Sequence, residues 1–194
     1  AEAVDSINRE AQRAAEVIDR VRAYGKGHAD RERLSLEAAV KRIVGRFVAS
    51  GKGRLAEIRF GTLEAGEVFM NPLDLELIVI NLLSNAVNAA SMRNRPTVEV
   101  SVARESMLGQ RKDEADESGG EAPAMMRLSV ADNGPALSQA AFDSLGRTVM
   151  KSSSQGLGLG LLIVKSLTEN YVGRLAFERG ADEGTVAVVR LPVA

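Results

Sequence analysis

An uncharged apolar segment, residues 77–90, constrains the fold of this chain more than any other feature. It contains no charged residue, glycine or proline, and read as a helix it is apolar over most of its circumference. Its four polar residues recur at i, i+3, i+4 and i+7 and therefore form one stripe on one face: Asn81, Ser84, Asn85 and Asn88. Carboxamides and a hydroxyl destabilise a fold when buried without partners, so the sequence predicts a core helix whose polar stripe faces a polar cavity. The alternative is a partly exposed core helix that happens to be rich in asparagine.

Length and composition restrict the classes of protein to which the chain can belong. Its 194 residues suffice for one substantial domain with a small appendage, and 45% of them are hydrophobic, as in globular proteins. A net charge of -1 gives no basic excess for nucleic-acid binding. The lack of cysteine excludes disulfides, thiol catalysis and cysteine zinc sites, and a single histidine, His28, excludes a histidine-rich metal site. We expect no membrane span, because no apolar run approaches the required length, and no signal peptide.

The first 27 residues show a heptad pattern. Apolar side chains alternate by three and four positions between charged ones, which favours a helix that packs against a partner in a dimer or bundle. These apolar residues are Val4, Ile7, Ala11, Ala14, Ile18 and Val21. The alternative is a single amphipathic helix that lies on its own domain. Because Gly25 and Gly27 predict the end of the helix, we divide the chain into a helix at 1–27, a hinge at 28–33 and a domain at 34–194.

Alternating and amphipathic patterns predict a mixture of strands and helices in the rest of the chain. Ser35 is the predicted N-cap of a helix that ends at Val48, and Pro72 suits the first turn of the core helix. A turn at 64–66 joins the first two strands. Predicted strands cover 56–62, 67–70, 97–103, 127–131, 174–178 and 185–191, and two further helices cover 139–145 and 161–171. This order predicts an α+β fold: a two-layer α/β sandwich with a mixed, mostly antiparallel sheet covered on one face by helices, preceded by the coiled-coil-like helix.

Three features carry the chemistry expected of the cavity. Asp132 follows a strand and precedes Gly134, so a partly buried carboxylate there can accept hydrogen bonds from an amino group such as that of adenine. A glycine repeat at 156–160 precedes an apolar helix, whose free amides suit phosphate oxygens. The asparagine stripe offers neutral oxygen ligands for magnesium, and Lys151 offers a positive charge. Each feature alone is compatible with an ordinary turn, hinge or solvated loop, but together they indicate adenine, magnesium and phosphate sites in one pocket.

These motifs resemble those of the GHKL superfamily, in the ATP-binding catalytic domain of its sensor histidine kinase branch. Asn81-Leu-Leu-Ser-Asn85-Ala resembles the N box, Asp132-Asn-Gly134 the G1 box and Gly156-Leu-Gly158-Leu-Gly160-Leu161 the G2 box. Gly184-Thr185 resembles the late Gly-Thr of the family, and Phe142 and Lys151 fall roughly at its F box and lid basic residue. The resemblance covers about residues 34–194 and implies the Bergerat fold. Residues 1–25 resemble the second helix of the family's dimerisation and phosphoacceptor hairpin.

The resemblance also implies a role for each matching residue. Asn85 would bind magnesium, and Asn81 and Lys151 would act beside it in catalysis. Asn88 would lie near the phosphates of ATP. The other implied nucleotide-site residues are Asp132 for the adenine amino group, Thr185 at the adenine end and, for the shape of the site and its lid, Gly134, Gly156, Gly158, Gly160 and Leu161.

Three positions mark how this chain differs from parts of the superfamily. Asn81 stands where hydrolysing branches usually carry a glutamate that activates water, and an amide cannot take a proton, so we expect transfer to a histidine rather than hydrolysis. Ala136 replaces the second glycine of the G1 box, and we expect its methyl group to affect the geometry of the lid more than the recognition of adenine. His28 lacks the acidic neighbour and the downstream proline of the phosphoacceptor motif, so the acceptor histidine is expected to precede Ala1.

The sequence therefore predicts the catalytic domain of a sensor histidine kinase. It would bind Mg-ATP and transfer the γ-phosphoryl group to a histidine outside this chain, for relay to an aspartate on a response-regulator receiver domain. We expect a homodimer through the N-terminal helix, a cytoplasmic location, and membrane contact only through regions outside this sequence. The alternatives are a nucleotide-binding or dimerisation module that has lost catalysis, and a serine kinase or ATPase of the same superfamily.

Overall fold

A computed structural model of the chain describes residues 30–106, 124–144 and 159–194. The strands in these ranges are β1 (Glu32–Ser35), β2 (Glu57–Leu63), β3 (Glu67–Met70), β4 (Thr97–Ser106), β5 (Ala124–Asp132), β6 (Arg174–Arg179) and β7 (Thr185–Pro192). The helices are α1 (Leu36–Ala49), α2 (Pro72–Ala90), α3 (Gln139–Ser144) and α4 (Leu159–Asn170), with a 3-10 turn at Ala181–Glu183. The predicted heptad helix, Lys151, Gly156 and Gly158 lie outside the described residues.

The main sheet has the strand order β2-β4-β5-β7-β6. β2 pairs with β4 in parallel, and the other neighbours in this sheet are antiparallel. A core of buried aliphatic side chains joins the sheet to the helices, with Val98 and Val100 of β4 and Leu128 of β5 completely buried. The predicted fold class, a mixed and mostly antiparallel sheet packed against helices, is therefore confirmed.

The first two predicted strands do not form the hairpin that the turn at 64–66 suggested. β3 instead pairs with β1 in a separate two-stranded sheet, and β2 pairs with β4. Parallel strands need a long crossover, and α2 supplies it between β2 and β4. β1 was not predicted because it is four residues long and buries only Leu34. It overlaps the predicted hinge at residues 32 and 33.

Helix α2 is the central helix of the core, as its sequence predicts. The Asn71 carboxamide oxygen caps it by accepting from the Leu73 amide at 2.8 Å, and Pro72 occupies the first helical position. Buried residues surround most of its circumference: Leu75, Ile78, Val79, Leu82, Leu83, Val87 and Ala90. Contrary to our expectation from sequence, α2 is long and apolar enough to cross a membrane, but over half of it is buried inside the domain. It is the core helix of this fold.

A buried hydrogen bond joins the beginning of α2 to the end of α4. The Tyr171 hydroxyl donates to the Asp74 carboxylate at 2.5 Å and accepts from the Asn71 amide at 3.2 Å. Asp74 is only 4% exposed, so the phenol donates a hydrogen bond that water would otherwise donate to this carboxylate. Burial and the bond to Asp74 raise the pKa of Tyr171 to about 12. The Arg31 guanidinium lies 4.7 Å from the centre of the Tyr171 ring and ties the start of the described chain to the same point.

Tyr171→Phe is expected to destabilise the domain by about 1–3 kcal/mol, because it leaves a buried carboxylate without its donor. Since the folded state raises the pKa of Tyr171 from 10.0 to about 12, the stability that this phenol contributes is lost as pH rises through that window. Urea unfolding at pH values below and within this window measures the free energy of unfolding. That free energy should fall with rising pH in the wild type, and this contribution to the fall should be missing in Tyr171→Phe. In an Asp74→Asn background the same substitution should have a smaller effect. Equal effects in both backgrounds would contradict the pairing.

Candidate functional site

A cavity of about 130 Å³ lies between α2 and the β5 and β7 strands. Its wall is mostly aliphatic, with polar groups from Asn85, Asp132 and Thr185. The cavity thus brings together four residues that the sequence assigned to one site: Asn85, Asp132, Leu161 and Thr185. The remaining lining residues are Leu82, Ala86, Ala89, Val130, Leu137, Phe177 and Ala187. Apolar walls with a few convergent polar groups are typical of sites for small organic ligands.

Asp132 is the acidic group of this cavity. It ends β5, and one of its carboxylate oxygens accepts from the Gly134 amide at 2.8 Å. Burial raises the pKa of Asp132, and hydrogen bonds from the backbone of Gly134 and Thr185 counteract part of that rise. The carboxylate is therefore held in a fixed orientation by the backbone of two separate loops. It can accept a further hydrogen bond from an amino group of a ligand.

Two glycines allow the chain to close tightly around Asp132. A Cβ atom at Gly134 would lie 2.6 Å from the Asp132 carboxylate and 2.9 Å from the Ala89 Cβ. A Cβ at Gly184 would lie 1.8 Å from the Asp132 carbonyl oxygen, which no side chain tolerates. Both glycines belong to the motifs found in the sequence. Their function in this structure is close approach of backbone and side chains rather than an unusual backbone angle.

The polar stripe of α2 is not uniform. Asn81 is 5% exposed, and its amide group donates to the Leu77 carbonyl at 2.7 Å. A Cβ at Gly160 would lie 2.8 Å from the Asn81 carboxamide oxygen, so Asn81 occupies the contact between α2 and α4. Asn85 lines the cavity, whereas Asn88 is exposed and outside its lining. Of the three asparagines, the structure therefore places Asn85 where a ligand in the cavity can reach it.

Helix α4 begins at Leu159, two residues earlier than the sequence predicts. Gly160 is thus part of the first turn of the helix, and Leu161 contributes to the cavity wall. The early start brings Gly160 against Asn81, a contact that needs the absence of a side chain. The pattern of apolar residues in the sequence starts at Leu161 and gives no signal for the preceding turn.

Arg179 was missed by sequence reasoning. It ends β6 and donates to the Leu137 carbonyl at 3.3 Å and to the Gln139 side chain at 3.0 Å. Its guanidinium lies 4.7 Å from the centre of the Phe142 ring. Since Leu137 lines the cavity, Arg179 fastens this part of the wall to the sheet. An exposed arginine at the end of a strand carries no sequence signal for such a role.

The described residues offer no carboxylate cage for a metal ion. No group of three or more histidine, aspartate or glutamate side chains in these ranges could hold one. A divalent cation here would depend on neutral oxygens such as the Asn85 carboxamide, together with charged oxygens of a ligand. This arrangement fits magnesium bound to phosphates, because magnesium usually keeps several waters and few protein ligands.

Comparison with known proteins assigns the chain to a family. Residues 70–194 match the family described as "Histidine kinase-, DNA gyrase B-, and HSP90-like ATPase". The chain belongs to this family. The resemblance of the sequence motifs to the GHKL ATP-binding domain is thereby confirmed, and the cavity at Asp132 lies in the ATPase domain of the histidine kinase type.

Sequence relatives of this ATPase domain include sensor proteins. The C4-dicarboxylate transport sensor protein DctB of Rhizobium meliloti (strain 1021) is 30% identical over 190 residues, which are 97% of this chain and 28% of that protein. The sensor protein FixL of Bradyrhizobium diazoefficiens is 24% identical over 195 residues, or 99% of this chain and 35% of that protein. The chain therefore spans about a quarter to a third of the length of the curated relatives it matches.

Solved structures of histidine kinases share the fold of this family member. The mycobacterial sensor histidine kinase MprB matches with a TM-score of 0.64 at 20% identity, covering 84% of this chain and 98% of that one. The Acinetobacter baumannii histidine kinase AdeS matches with a TM-score of 0.67 at 14% identity, covering 97% of this chain and 83% of that one. At such identities the likeness establishes the fold alone.

Proposed function

We propose that this ATPase domain binds Mg-ATP and transfers the γ-phosphoryl group to a histidine on a dimerisation helix. The observation that carries the proposal is that one cavity joins Asp132, at the end of β5, to Asn85, on α2. Asp132 can accept a hydrogen bond from an amino group, and Asn85 can offer a neutral oxygen to a metal ion. One nucleotide needs both groups at the same cavity, the first for adenine and the second for the magnesium on its phosphates. Membership in the histidine kinase-like ATPase family supports the same reading.

Several residues at the cavity have a proposed role toward ATP. Asp132 accepts a hydrogen bond from the adenine amino group, and the adjacent Thr185 supports that end of the site. Aliphatic walls such as Val130 and Ala187 receive the faces of the base. Asn85 supplies an oxygen to magnesium, whose positive charge, when bound, neutralises the phosphates. Gly134, Gly160 and Leu161 shape the site.

Further roles are proposed for residues that the sequence motifs indicate. Asn88 would lie near the phosphates. Lys151, Gly156 and Gly158, which lie outside the described residues, would supply a positive charge and free amides to the phosphate groups.

The proposed reaction is phosphoryl transfer rather than hydrolysis. An imidazole nitrogen forms a bond to the γ-phosphorus while the bond from that phosphorus to the bridging oxygen breaks, and ADP leaves. Asn81, the residue proposed to act beside Asn85, is an amide that already donates to the Leu77 carbonyl. It cannot take a proton from water. Catalysis would therefore rest on positioning the nucleotide and neutralising its charge.

The proposal extends to partners outside this chain. The phosphoryl group would pass to an aspartate on the receiver domain of a response regulator, and residues 1–27 would form the homodimer. The domain would work in the cytoplasm, with any membrane contact made by other regions. These expectations draw on the sensor proteins to which the chain is similar.

A nucleotide-binding module without catalysis is the second candidate, and Ala136 is the observation that favours it. This residue replaces a motif glycine, which favours the module, whereas its exposure in the structure favours the kinase, because an exposed methyl group does not crowd its neighbours. The two candidate functions can be distinguished with a longer form of the protein that includes the expected acceptor histidine. With labelled ATP, stable label on that histidine supports the kinase, whereas nucleotide binding without transfer supports the module.

Asn85→Ala is expected to remove the magnesium-dependent part of ATP affinity, a loss on the order of tenfold or more. The reason is that Asn85 is the carboxamide of the stripe that lines the cavity. Calorimetric titration with a non-hydrolysable ATP analogue, with and without magnesium, measures this part separately. Asn94→Ala, which changes an exposed asparagine after the end of α2 and outside the cavity lining, serves as the matched control. Magnesium dependence that survives in Asn85→Ala would remove Asn85 as a metal ligand.

A further inference from the structure

We propose that Arg93 is a positioning residue for adenine recognition. It holds the turn after β5 in the shape that directs the Asp132 carboxylate into the cavity. Arg93 itself does not line that cavity and so acts through Asp132. The inference rests on the proposed function and deepens it, because it identifies how the base is distinguished.

Arg93 bonds two consecutive carbonyl groups of the turn. Its Nε donates to the Asn133 carbonyl at 3.0 Å, and one terminal nitrogen donates to the Gly134 carbonyl at 3.1 Å. The planar guanidinium presents its donors in a fixed fork, so two such bonds fix both the position and the orientation of the backbone they hold. They act directly on the residues that follow Asp132.

The turn is also held through the side chain of Asn133. The Asn133 carboxamide accepts from the Thr97 amide at 2.9 Å and donates to the Arg95 carbonyl at 2.8 Å. Arg93, Arg95 and Thr97 lie in one stretch of chain that runs from the end of α2 to the first residue of β4. This segment thereby forms a frame for the turn that carries Asp132.

Arg93 also reaches the second loop that bonds Asp132. A terminal nitrogen lies 3.9 Å from the Glu183 carboxylate, just before Gly184, whose backbone packs against the Asp132 carbonyl. The Glu183 side chain is 74% exposed, so this ion pair contributes little by itself. The two carbonyl bonds are therefore the main contribution of Arg93.

Base discrimination depends on the direction of the Asp132 carboxylate. The adenine amino group donates to it, whereas inosine carries a carbonyl oxygen at that place, which a carboxylate repels. Phosphate and magnesium contacts are the same in both triphosphates. The ratio of the two affinities therefore reports the alignment of Asp132 and does not depend on the fraction of protein that is folded.

The test is the ratio of ATP to inosine triphosphate affinity, measured by calorimetry for the wild type, Arg93→Met, Asp132→Asn and the double variant. Methionine keeps an apolar stem and removes the donors. We expect Arg93→Met to lower the ratio roughly fivefold, as for residues coupled in one hydrogen-bond network, with inosine triphosphate affinity little changed. In the Asp132→Asn background Arg93→Met should not lower the ratio further. Arg46→Met, which breaks an ion pair with Glu76 on another face, is the matched control and should leave the ratio unchanged.

The outcomes separate this inference from the proposed function. A wild type that prefers ATP and an Arg93→Met variant that keeps the full preference would overturn the positioning role alone. An equal loss of affinity for both triphosphates would also overturn it, because that result indicates a general structural role. A wild type that binds neither nucleotide would overturn the proposed function and this inference with it.

Discussion

Gly184→Ala is expected to destabilise the domain by about 3 kcal/mol or more, at the upper end of the range for overpacking a single site. The added methyl would lie 1.8 Å from the Asp132 carbonyl oxygen, so either β5 or the start of β7 must move. Because the contact is with a backbone atom, a change of side-chain rotamer cannot relieve it, and displacing the backbone costs more free energy. For a domain of this size, the loss corresponds to a fall in Tm of roughly 10 °C.

The matched control for this prediction is Gly45→Ala. Gly45 lies within α1, where a Cβ atom would meet nothing within 4 Å. The same one-methyl change should there raise stability by roughly 0.5–1 kcal/mol, because alanine favours a helix interior over glycine. Thermal unfolding of both variants gives the comparison. A Gly184→Ala protein as stable as the wild type would show that the close contact with Asp132 is not needed for the fold.

Asp132→Asn is expected to reduce affinity for ATP roughly 10- to 100-fold, since a hydrogen bond to a charged group contributes about 1.5–3 kcal/mol. Asparagine keeps the shape of the side chain and removes its charge. Calorimetry with an ATP analogue measures the loss. Glu99→Gln, which neutralises an exposed carboxylate on β4, is the matched control and should bind like the wild type. Unchanged binding by Asp132→Asn would exclude this carboxylate as the amino-group acceptor.

The raised pKa of Asp132 adds a pH dependence with a definite sign. In the nucleotide-free domain the folded state favours the protonated carboxyl, so the contribution of this group to stability falls as pH rises through its elevated pKa. ATP needs the ionised form, so binding should weaken on acidification at a higher pH than for an ordinary aspartate. Binding within that window should release protons, which titrations in buffers of different ionisation enthalpy detect. The Asp132→Asn variant should lack this proton release.

Local patterns in the sequence determined the elements of the main fold. Cap and turn chemistry at Ser35, Asn71 and Pro72 marked the helix starts, because the groups that satisfy free backbone amides lie within three residues. Alternation of apolar residues identified β4, β5, β6 and β7. The same local reading placed Asp132 at the end of a strand and predicted that it would meet the polar stripe of α2. Asn85 and Asp132 do line one cavity.

Tertiary structure decided which elements are neighbours and which side chains reach the site. The parallel pairing of β2 with β4 depends on a crossover, and the antiparallel pairing of β3 with β1 depends on register between segments more than 30 residues apart, and local patterns encode neither. Whether Asn81 faces a ligand or the α2–α4 contact depends on where Gly160 lies. Arg93 has no motif around it, and its partners are 40 and 41 residues away in the chain. The sequence by itself determined the chemistry available to the site, and folding determined its geometry, because long-range contacts set the direction of each side chain.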